Sequence, residues 1–432
     1  MVTSVLSKRV LGTAFFVLAS SVAAIAASPA LAAHSAKSGG SSSQGFVFSQ
    51  SNNPTGNQVY VFKRKSNGTI NLFQTVKTGG KGTATQQPFG LPVVDSADSV
   101  VLSADRKLLF VVNDGSNNVT SFKVTSGGIT RSDLKKSNGK LPISLAVHGN
   151  VLYVLNGVSG NISGYKFNSQ GKLTPIAGST RNLSVFGSAG VAADIGFTPN
   201  GNWLFVTMRY LPLTVGTNGQ PGLIDAFHVR ANGSIGLADQ QTAATPTPFG
   251  FRFTSSGLMV DSSAGVVKTI NNAAPPLGDG QQANGSVQTY TVNANGKLTA
   301  VSNVASGGRA ACWVVLTKNN QFAFATNTLS ATAANPAPGA PIGTGEAGIS
   351  RYSVSPSGKL TLLGTVNTGP GTPSDLGLSP DGKYLYMADP TQGLFPFGSH
   401  IEAYKVGSDG SLTLVGATPM TAAPGLSGIT VS

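Results

Sequence analysis

The chain has 432 residues, of which 10% are charged and 55 are glycine, and its formal net charge is +13. With few helix-forming residues, this composition favours a turn-rich, all-β protein. Two glutamates and four histidines leave few groups for acid–base chemistry, and a single cysteine excludes an intrachain disulfide. Lysine and arginine are scattered rather than clustered among aromatic residues, so no nucleic-acid site is expected.

The first 32 residues have the order of a secretory signal peptide. Lys8 and Arg9 precede an apolar run at residues 10–27, and the sequence ALA at 30–32 offers a small-residue cleavage site. Residues 33–44 are expected to form a flexible serine- and glycine-rich leader, and residues 45–432 a single domain. These features predict a secreted or periplasmic protein without stable membrane insertion after cleavage. An uncleaved membrane anchor is the alternative.

A polar turn containing glycine recurs along the rest of the chain, each time after an alternating strand with an aromatic residue. Asn-Gly and Asp-Gly accept the positive φ angles of tight hairpins. Seven matches, spaced by about 40 to 60 residues, indicate a repeat protein. The turns lie at residues 66–68, 126–128, 169–171, 231–233, 294–296, 356–358 and 408–410.

Two more strands precede each hairpin, so the repeating unit has four strands, named A, B, C and D in chain order. Seven four-stranded units predict a seven-bladed β-propeller. The first unit lacks an A strand, and the chain ends on a spare one at residues 428–432. Pairing of this strand with residues 45–50 would close the ring and remove an open sheet edge.

The long loops of the repeat are expected on one face. The A–B and C–D turns share one end of the blades, here called the turn face. The B–C loops and the D-to-A connections share the other end, the B–C face. Four consecutive B–C loops are long, at residues 209–222, 267–285, 328–348 and 390–399. Because long loops on a rigid scaffold commonly carry binding sites, the B–C face is the predicted binding face, with Arg209 as a candidate ligand contact.

The repeat resembles a known family. The sequences KLLFVVNDG at 107–115, NVLYVLNG at 150–157 and DGKYLY at 381–386 are similar to YVTN-type repeats. Together with the D-strand openings, they resemble the lactonase-type seven-bladed propellers, which include 6-phosphogluconolactonase-like and carboxymuconate-lactonising proteins. The resemblance covers residues 45–432 and implies the propeller fold.

The resemblance also implies a place for catalysis. Active relatives assemble Arg, His and Glu on the B–C face, with an Arg-His pair entering strand A and an Asn-Glu pair after strand B. In this chain the corresponding positions of the sixth blade carry Trp313 and Thr328 in place of His and Glu. Arg309 lies about three residues out of register and is a candidate ligand-binding residue.

Alignment of the A strands predicts which side chains enter the central channel. Most are small, whereas Asp194, Arg252, Trp313 and Asp375 are large or charged. These four could hold a polar or anionic ligand, with Trp313 as a stacking platform. Alternatively, the aspartates accept backbone N–H bonds and Arg252 offsets their charge, because buried charges need partners.

One acid–base pair can be built from the sequence. Glu346 precedes strand C of the sixth blade, and His400 begins strand C of the seventh. A histidine oriented by a carboxylate could activate water for lactone hydrolysis, which makes these two the catalytic candidates. A local pair between His400 and Glu402, which share a side of one strand, is the alternative. No spacing of residues suggests a metal or cofactor site.

Three functional interpretations follow from these observations. The first is an exported, monomeric ligand-binding or interaction protein whose B–C face takes a lactone, a sugar acid or an anionic envelope polymer. The second is a lactone hydrolase of the 6-phosphogluconolactonase or carboxymuconate type with a non-standard site. The third is a cell-surface or matrix adhesion protein. The sequence leaves open whether the chain is an enzyme.

Overall fold

A computed structural model describes residues 45–84, 94, 96–185, 191–209, 222–265, 285–329, 347–369, 371–390, 399–420 and 426–432. The predicted signal peptide and leader lie outside the described residues, as do most of the four long B–C loops. Among the described residues, no helix combines the length and apolar character needed to cross a membrane.

The described residues form seven antiparallel blades, which confirms the predicted propeller. Blade one contains β1 (Phe46–Gln50), β2 (Gln58–Arg64), β3 (Ile70–Lys77) and the C-terminal β29 (Ser427–Val431). Blade two contains β4 (Val100–Leu102), β5 (Leu108–Asn113), β6 (Asn118–Thr125) and β7 (Gly128–Lys136), with one 3-10 turn at Asp114–Ser116. Blade three contains β8 (Pro142–His148), β9 (Val151–Asn156), β10 (Asn161–Phe167), β11 (Leu173–Pro175) and β12 (Arg181–Asn182).

The remaining blades follow the same order. Blade four contains β13 (Val191–Phe197), β14 (Trp203–Arg209), β15 (Leu223–His228) and β16 (Asp239–Thr242). Blade five contains β17 (Pro248–Phe253), β18 (Met259–Ser263), β19 (Ser286–Val292) and β20 (Leu298–Ala305). Blade six contains β21 (Arg309–Leu316), β22 (Phe322–Leu329), β23 (Ala347–Val354) and β24 (Leu360–Gly369). Blade seven contains β25 (Ser374–Leu378), β26 (Tyr384–Asp389), β27 (His400–Val406) and β28 (Leu412–Pro419).

The two ends of the chain close the ring, as the sequence predicts. Strand β29 is the A strand of blade one and pairs antiparallel with β1, with Val431 opposite Val47. The Ser432 hydroxyl accepts a bond from the Phe46 N–H at 2.9 Å, and Arg64 donates to the Ser432 carbonyl at 3.1 Å. This pairing satisfies a sheet edge that would otherwise be open.

The turn glycines have a conformational role and a packing role. All seven have positive φ, between 74° for Gly296 and 111° for Gly128, so each predicted hairpin is present. The residue before each of these glycines does not have positive φ, and outside blade two the turns are three-residue loops that end on the glycine rather than the expected two-residue type. Six of the seven turn glycine carbonyls also accept bonds from the preceding blade around the ring, the exception among the described residues being Gly128. Tyr153 donates to the Gly233 carbonyl at 2.7 Å, and Tyr386 donates to the Gly68 carbonyl at 2.9 Å. The same residues that shape the hairpins therefore join the blades.

Two D strands are less regular than the repeat predicts. The D strand of blade three is divided into β11 and β12, which pair with opposite ends of β10. Pro175 lacks the N–H that would continue the ladder, and Gly178 turns the chain with a φ of +66°. In blade four, an isolated bridge between Val229 and Ile235 precedes β16. These interruptions lie on the outer edge and leave the A strands around the channel unchanged.

Candidate functional site

An ion pair lies at mid-depth in the central channel. Arg252, on β17, reaches across to Asp98, which lies two residues before β4. Nη2 and Nη1 of the guanidinium lie 2.8 and 2.9 Å from the two carboxylate oxygens, so the pair is bidentate. Nη1 also donates to the Phe251 carbonyl at 2.8 Å and lies 3.6 Å from Oδ2 of Asp194.

Asp194 and Asp375 each connect the A strands of two neighbouring blades. Oδ1 of Asp194 accepts the Ile195 N–H at 2.8 Å, and Oδ2 accepts the Phe251 N–H of the next blade at 3.0 Å. Asp375 repeats the arrangement, because it accepts the Leu376 N–H at 2.8 Å and the Ile429 N–H at 3.2 Å. Both carboxylates therefore accept hydrogen bonds from the backbone. Both also attract the Arg252 guanidinium and raise its pKa.

The Arg252 guanidinium attracts three carboxylates, those of Asp98, Asp194 and Asp375, and this attraction affects the pKa of each. Burial raises the pKa of Asp98, and the attraction of Arg252 opposes part of that rise. Burial, with repulsion from Asp98, raises the pKa of Asp194 well above its usual range. The same two causes raise the pKa of Asp375 to about 7. Asp375 therefore takes up a proton near neutral pH, which limits the excess of negative charge around Arg252.

Residues 94 and 96–98, which lead into blade two, lie across the B–C end of the channel. The Val94 N–H donates to the Ser427 hydroxyl of blade one at 2.9 Å, and Ala97 N–H donates to the Ala193 carbonyl of blade four at 3.2 Å. The Ser96 carbonyl accepts the Trp313 indole N–H of blade six at 3.0 Å. Contacts with blades on opposite sides of the ring place this segment over the B–C end of the channel.

Beneath that segment lies an aromatic cluster. The rings of Trp313 and Phe249 meet edge to face with centroids 5.0 Å apart, and both side chains are buried. The guanidinium of Arg209 lies 4.7 Å from the centre of the Phe249 ring. Arg309, at the start of β21, is also buried. The candidate ligand-binding residues Arg209, Arg309 and Trp313 are thus buried, on the B–C side of the Asp98–Arg252 pair.

A cavity of about 580 Å³ fills the other half of the channel and opens at the turn face. Its floor is the Asp98–Arg252 pair, whose side chains are 24% and 27% exposed. Its walls are the A strands of all seven blades, including the small side chains of Ala146 and Thr430. Arg106 and Lys318, in the A–B turns of blades two and six, stand at the rim. The volume lies in the range of small-molecule sites.

His400, one of the two proposed catalytic residues, lies away from the channel cavity. Nε2 of His400 is 3.3 Å from Oε1 of Glu402, the local pair that the sequence offered as an alternative. The Tyr404 hydroxyl donates to Oε2 of the same carboxylate, and burial together with the Glu402 charge raises the pKa of Tyr404. None of these three residues is among those that line the channel cavity. Glu346 lies outside the described residues.

The structure thus brings together Asp194, Arg252 and Asp375, as the A-strand alignment suggested. It adds Asp98, which the sequence reasoning missed because this residue immediately precedes the aligned A-strand position, Ser99. It also adds the cavity at the turn face, which no local signal in the sequence marks. Within the part of the chain that the structure describes, no group of three His, Cys, Asp or Glu side chains is arranged to hold a metal ion.

Solved structures with the same architecture carry several different names. A Bacteroides fragilis protein described provisionally as a 6-phosphogluconolactonase is 17% identical, with a TM-score of 0.61 over 90% of this chain and 98% of its own. The periplasmic gluconolactonase of Pseudomonas aeruginosa is 15% identical, with a TM-score of 0.59 over 88% and 98%. A hypothetical selenium-binding protein of Sulfolobus tokodaii is 11% identical, with a TM-score of 0.62 over 90% and 94%. At these identities the likeness shows the fold alone.

The sequence itself gives the family. No curated protein matches the chain significantly. The sequence model of the family described as "Lactonase, 7-bladed beta-propeller" matches residues 53–184, 149–265 and 277–427, which together span most of the chain. These matches cover every blade and agree with the ring of seven sheets and its C-terminal closing strand. The chain therefore belongs to the lactonase family of seven-bladed β-propellers.

Proposed function

We propose that this protein is an exported, ligand-binding member of the lactonase propellers, and that it holds a sugar acid or lactone in the channel cavity. The observation that carries the proposal is the cavity itself, with the Asp98–Arg252 pair as its floor and two cations at its rim. Among the described residues that line it, the only carboxylate or imidazole side chain is that of Asp98, which is held in a bidentate pair with Arg252, and this supports binding rather than acid–base chemistry there. The basic, apolar N-terminal segment supports export.

The charges of the cavity predict how such a ligand is oriented. Arg252 is already engaged by Asp98 and lies in the field of two more carboxylates, so the floor repels a second anion. Arg106 and Lys318 at the rim are exposed, and no acidic side chain pairs with them in the described residues. An acid group is therefore expected at the rim, and hydroxyl or carbonyl groups at the floor, where Asp98 and Arg252 can accept and donate.

Calorimetric titration with gluconate and glucono-δ-lactone tests this proposal. The double variant Arg106→Glu with Lys318→Glu should weaken gluconate binding by at least about ten-fold, since each reversal replaces an attraction with a repulsion. Lys166→Glu with Lys405→Glu is the matched control, because it makes the same change of net charge on exposed C-strand positions away from the cavity. Equal losses in both double variants, or no binding by the wild type, would contradict the proposed site.

Lactone hydrolysis on the B–C face is the second candidate, favoured by membership of the lactonase family. Its proposed catalytic groups are His400 and Glu346, which the sequence places at the same end of adjacent blades. Hydrolysis of a lactone panel by the wild type and by His400→Ala distinguishes the two candidates. Turnover lost in His400→Ala supports hydrolysis, whereas binding without turnover supports the ligand-binding function.

A further inference from the structure

Two uncharged clefts lie side by side on the turn face, and the second borders the channel cavity at Asn320. The first, of about 380 Å³, lies between blades four and five and is lined by residues 198–200, 202–203, 255–257 and 292–294. The second, of about 460 Å³, lies between blades five and six and is lined by residues 254, 256, 258, 319–322 and 353–356. Both include Ser256, so they meet at the A–B turn of blade five. We propose that this double cleft binds a neutral oligosaccharide that spans the two blade junctions.

The absence of charge in the clefts favours a neutral ligand. Not one of the residues lining either cleft is Asp, Glu, Lys or Arg, although the chain has a formal net charge of +13. Instead the walls carry asparagine and serine side chains, which match the hydroxyl groups of a sugar as donors and acceptors. An anionic polymer would find no counter-charge in the clefts and would bind the scattered lysines and arginines instead.

The first cleft holds its hydrogen-bond donors in fixed directions. Oδ1 of Asn200 accepts bonds from the Thr198 hydroxyl at 2.8 Å and the Asn202 N–H at 3.1 Å. Oδ1 of Asn293 accepts the N–H groups of Asn295 at 2.9 Å and Lys297 at 3.0 Å. Because these bonds fix the carboxamide oxygens, the two NH₂ groups are left as oriented donors. Preorganised donors lose little conformational entropy when they bind.

Trp203 supplies a rigid apolar surface beside these donors. Its indole N–H donates to the Ala294 carbonyl at 3.2 Å, and Gly296 packs so closely on the ring that a Cβ there would lie 2.5 Å away. The ring is half-buried and lines the first cleft. An aromatic ring next to polar donors suits a sugar, which has an apolar C–H face and a polar rim. In the second cleft, Phe322 lies beside Asn319 and Asn320.

Binding of cellohexaose, laminarihexaose, xylohexaose and maltohexaose, followed by calorimetry and tryptophan fluorescence, tests this proposal. At least one neutral hexasaccharide should bind with an affinity that is unchanged between about 0.05 and about 0.5 M salt, because no charge is involved. The chain has two tryptophans, and Trp313 is buried in the channel, so the fluorescence change should vanish in Trp203→Phe and persist in Trp313→Phe.

Substitutions in the clefts complete the test. Asn202→Ala removes an exposed side-chain amide that makes no hydrogen bond within the described residues, and it should weaken binding about five-fold, the factor expected for one hydrogen bond. Ser256→Arg places bulk in the turn that both clefts share and should abolish binding, whereas Asn295→Ala, beside the cleft, should leave it unchanged. The proposal is overturned if no neutral hexasaccharide binds, if only anionic polymers bind and salt releases them, or if Asn202→Ala and Ser256→Arg bind as the wild type does.

Discussion

Replacement of Arg252 by methionine should destabilise the propeller by about 3 kcal/mol at about pH 8 and by much less at about pH 5. The substitution keeps an apolar side chain of similar length but removes the bidentate bonds to Asp98 and the bond to the Phe251 carbonyl. Removal of one partner of a buried ion pair costs about 3 to 5 kcal/mol. The low end applies because these two side chains are about one quarter exposed to the cavity.

The pH dependence of this loss follows from the carboxylates that remain. Asp98, Asp194 and Asp375 already have raised pKa values because of burial, and Arg252 opposes the rise in each case. Without the guanidinium the pKa values rise further. At about pH 5 the three groups then take up protons and carry no uncompensated charge, whereas at about pH 8 part of that charge remains buried.

Urea unfolding at both pH values measures the effect. Arg131→Met is the control, because Arg131 is exposed and its side chain makes only one bond within the described residues, a long one of 3.5 Å to the Thr78 carbonyl. Its free energy of unfolding should match the wild type at both pH values. An equal loss for Arg252→Met at the two pH values would refute the electrostatic reasoning and assign the whole effect to packing.

Three further outcomes are expected. Because the folded pKa of Asp375 is raised to about 7, the stability that this residue contributes is fully present below about pH 4 and is lost as the pH rises through about 7. Asp375→Asn should therefore reduce the decline of the free energy of unfolding between these pH values. A decline equal to that of the wild type in urea unfolding would contradict this. Trp313→Ala should cost about 3 to 5 kcal/mol at every pH by leaving a cavity beneath the channel connection, and a loss under about 1 kcal/mol would show that the site collapses without cost. Deletion of residues 427–432 removes β29 and exposes the edge of β1. Circular dichroism should then show a lower melting temperature or no cooperative unfolding. A melting curve like that of the full chain would contradict closure of the ring by this strand.

The fold could be predicted because its signals are local and repeated. Each C–D turn carries a glycine whose positive φ the hairpin requires, so seven turns mark seven blades. Strand alternation predicted the A strands, and their alignment placed Asp194, Arg252 and Asp375 in one region of the channel, where the structure has them. The interrupted D strands of blades three and four were missed, because the pattern of the other blades was extended to them.

The sequence by itself therefore determined the propeller, the closing strand and the family, since hairpin geometry and strand alternation depend on neighbouring residues. Only the tertiary structure decided what faces the channel. The bond partners of Asp98 lie on blades three and five. The segment that crosses the B–C end forms hydrogen bonds to blades one, three, four and six. The clefts likewise exist only where turns of adjacent blades meet. Such sites are made by residues far apart in the chain, so no local pattern of residues could reveal them.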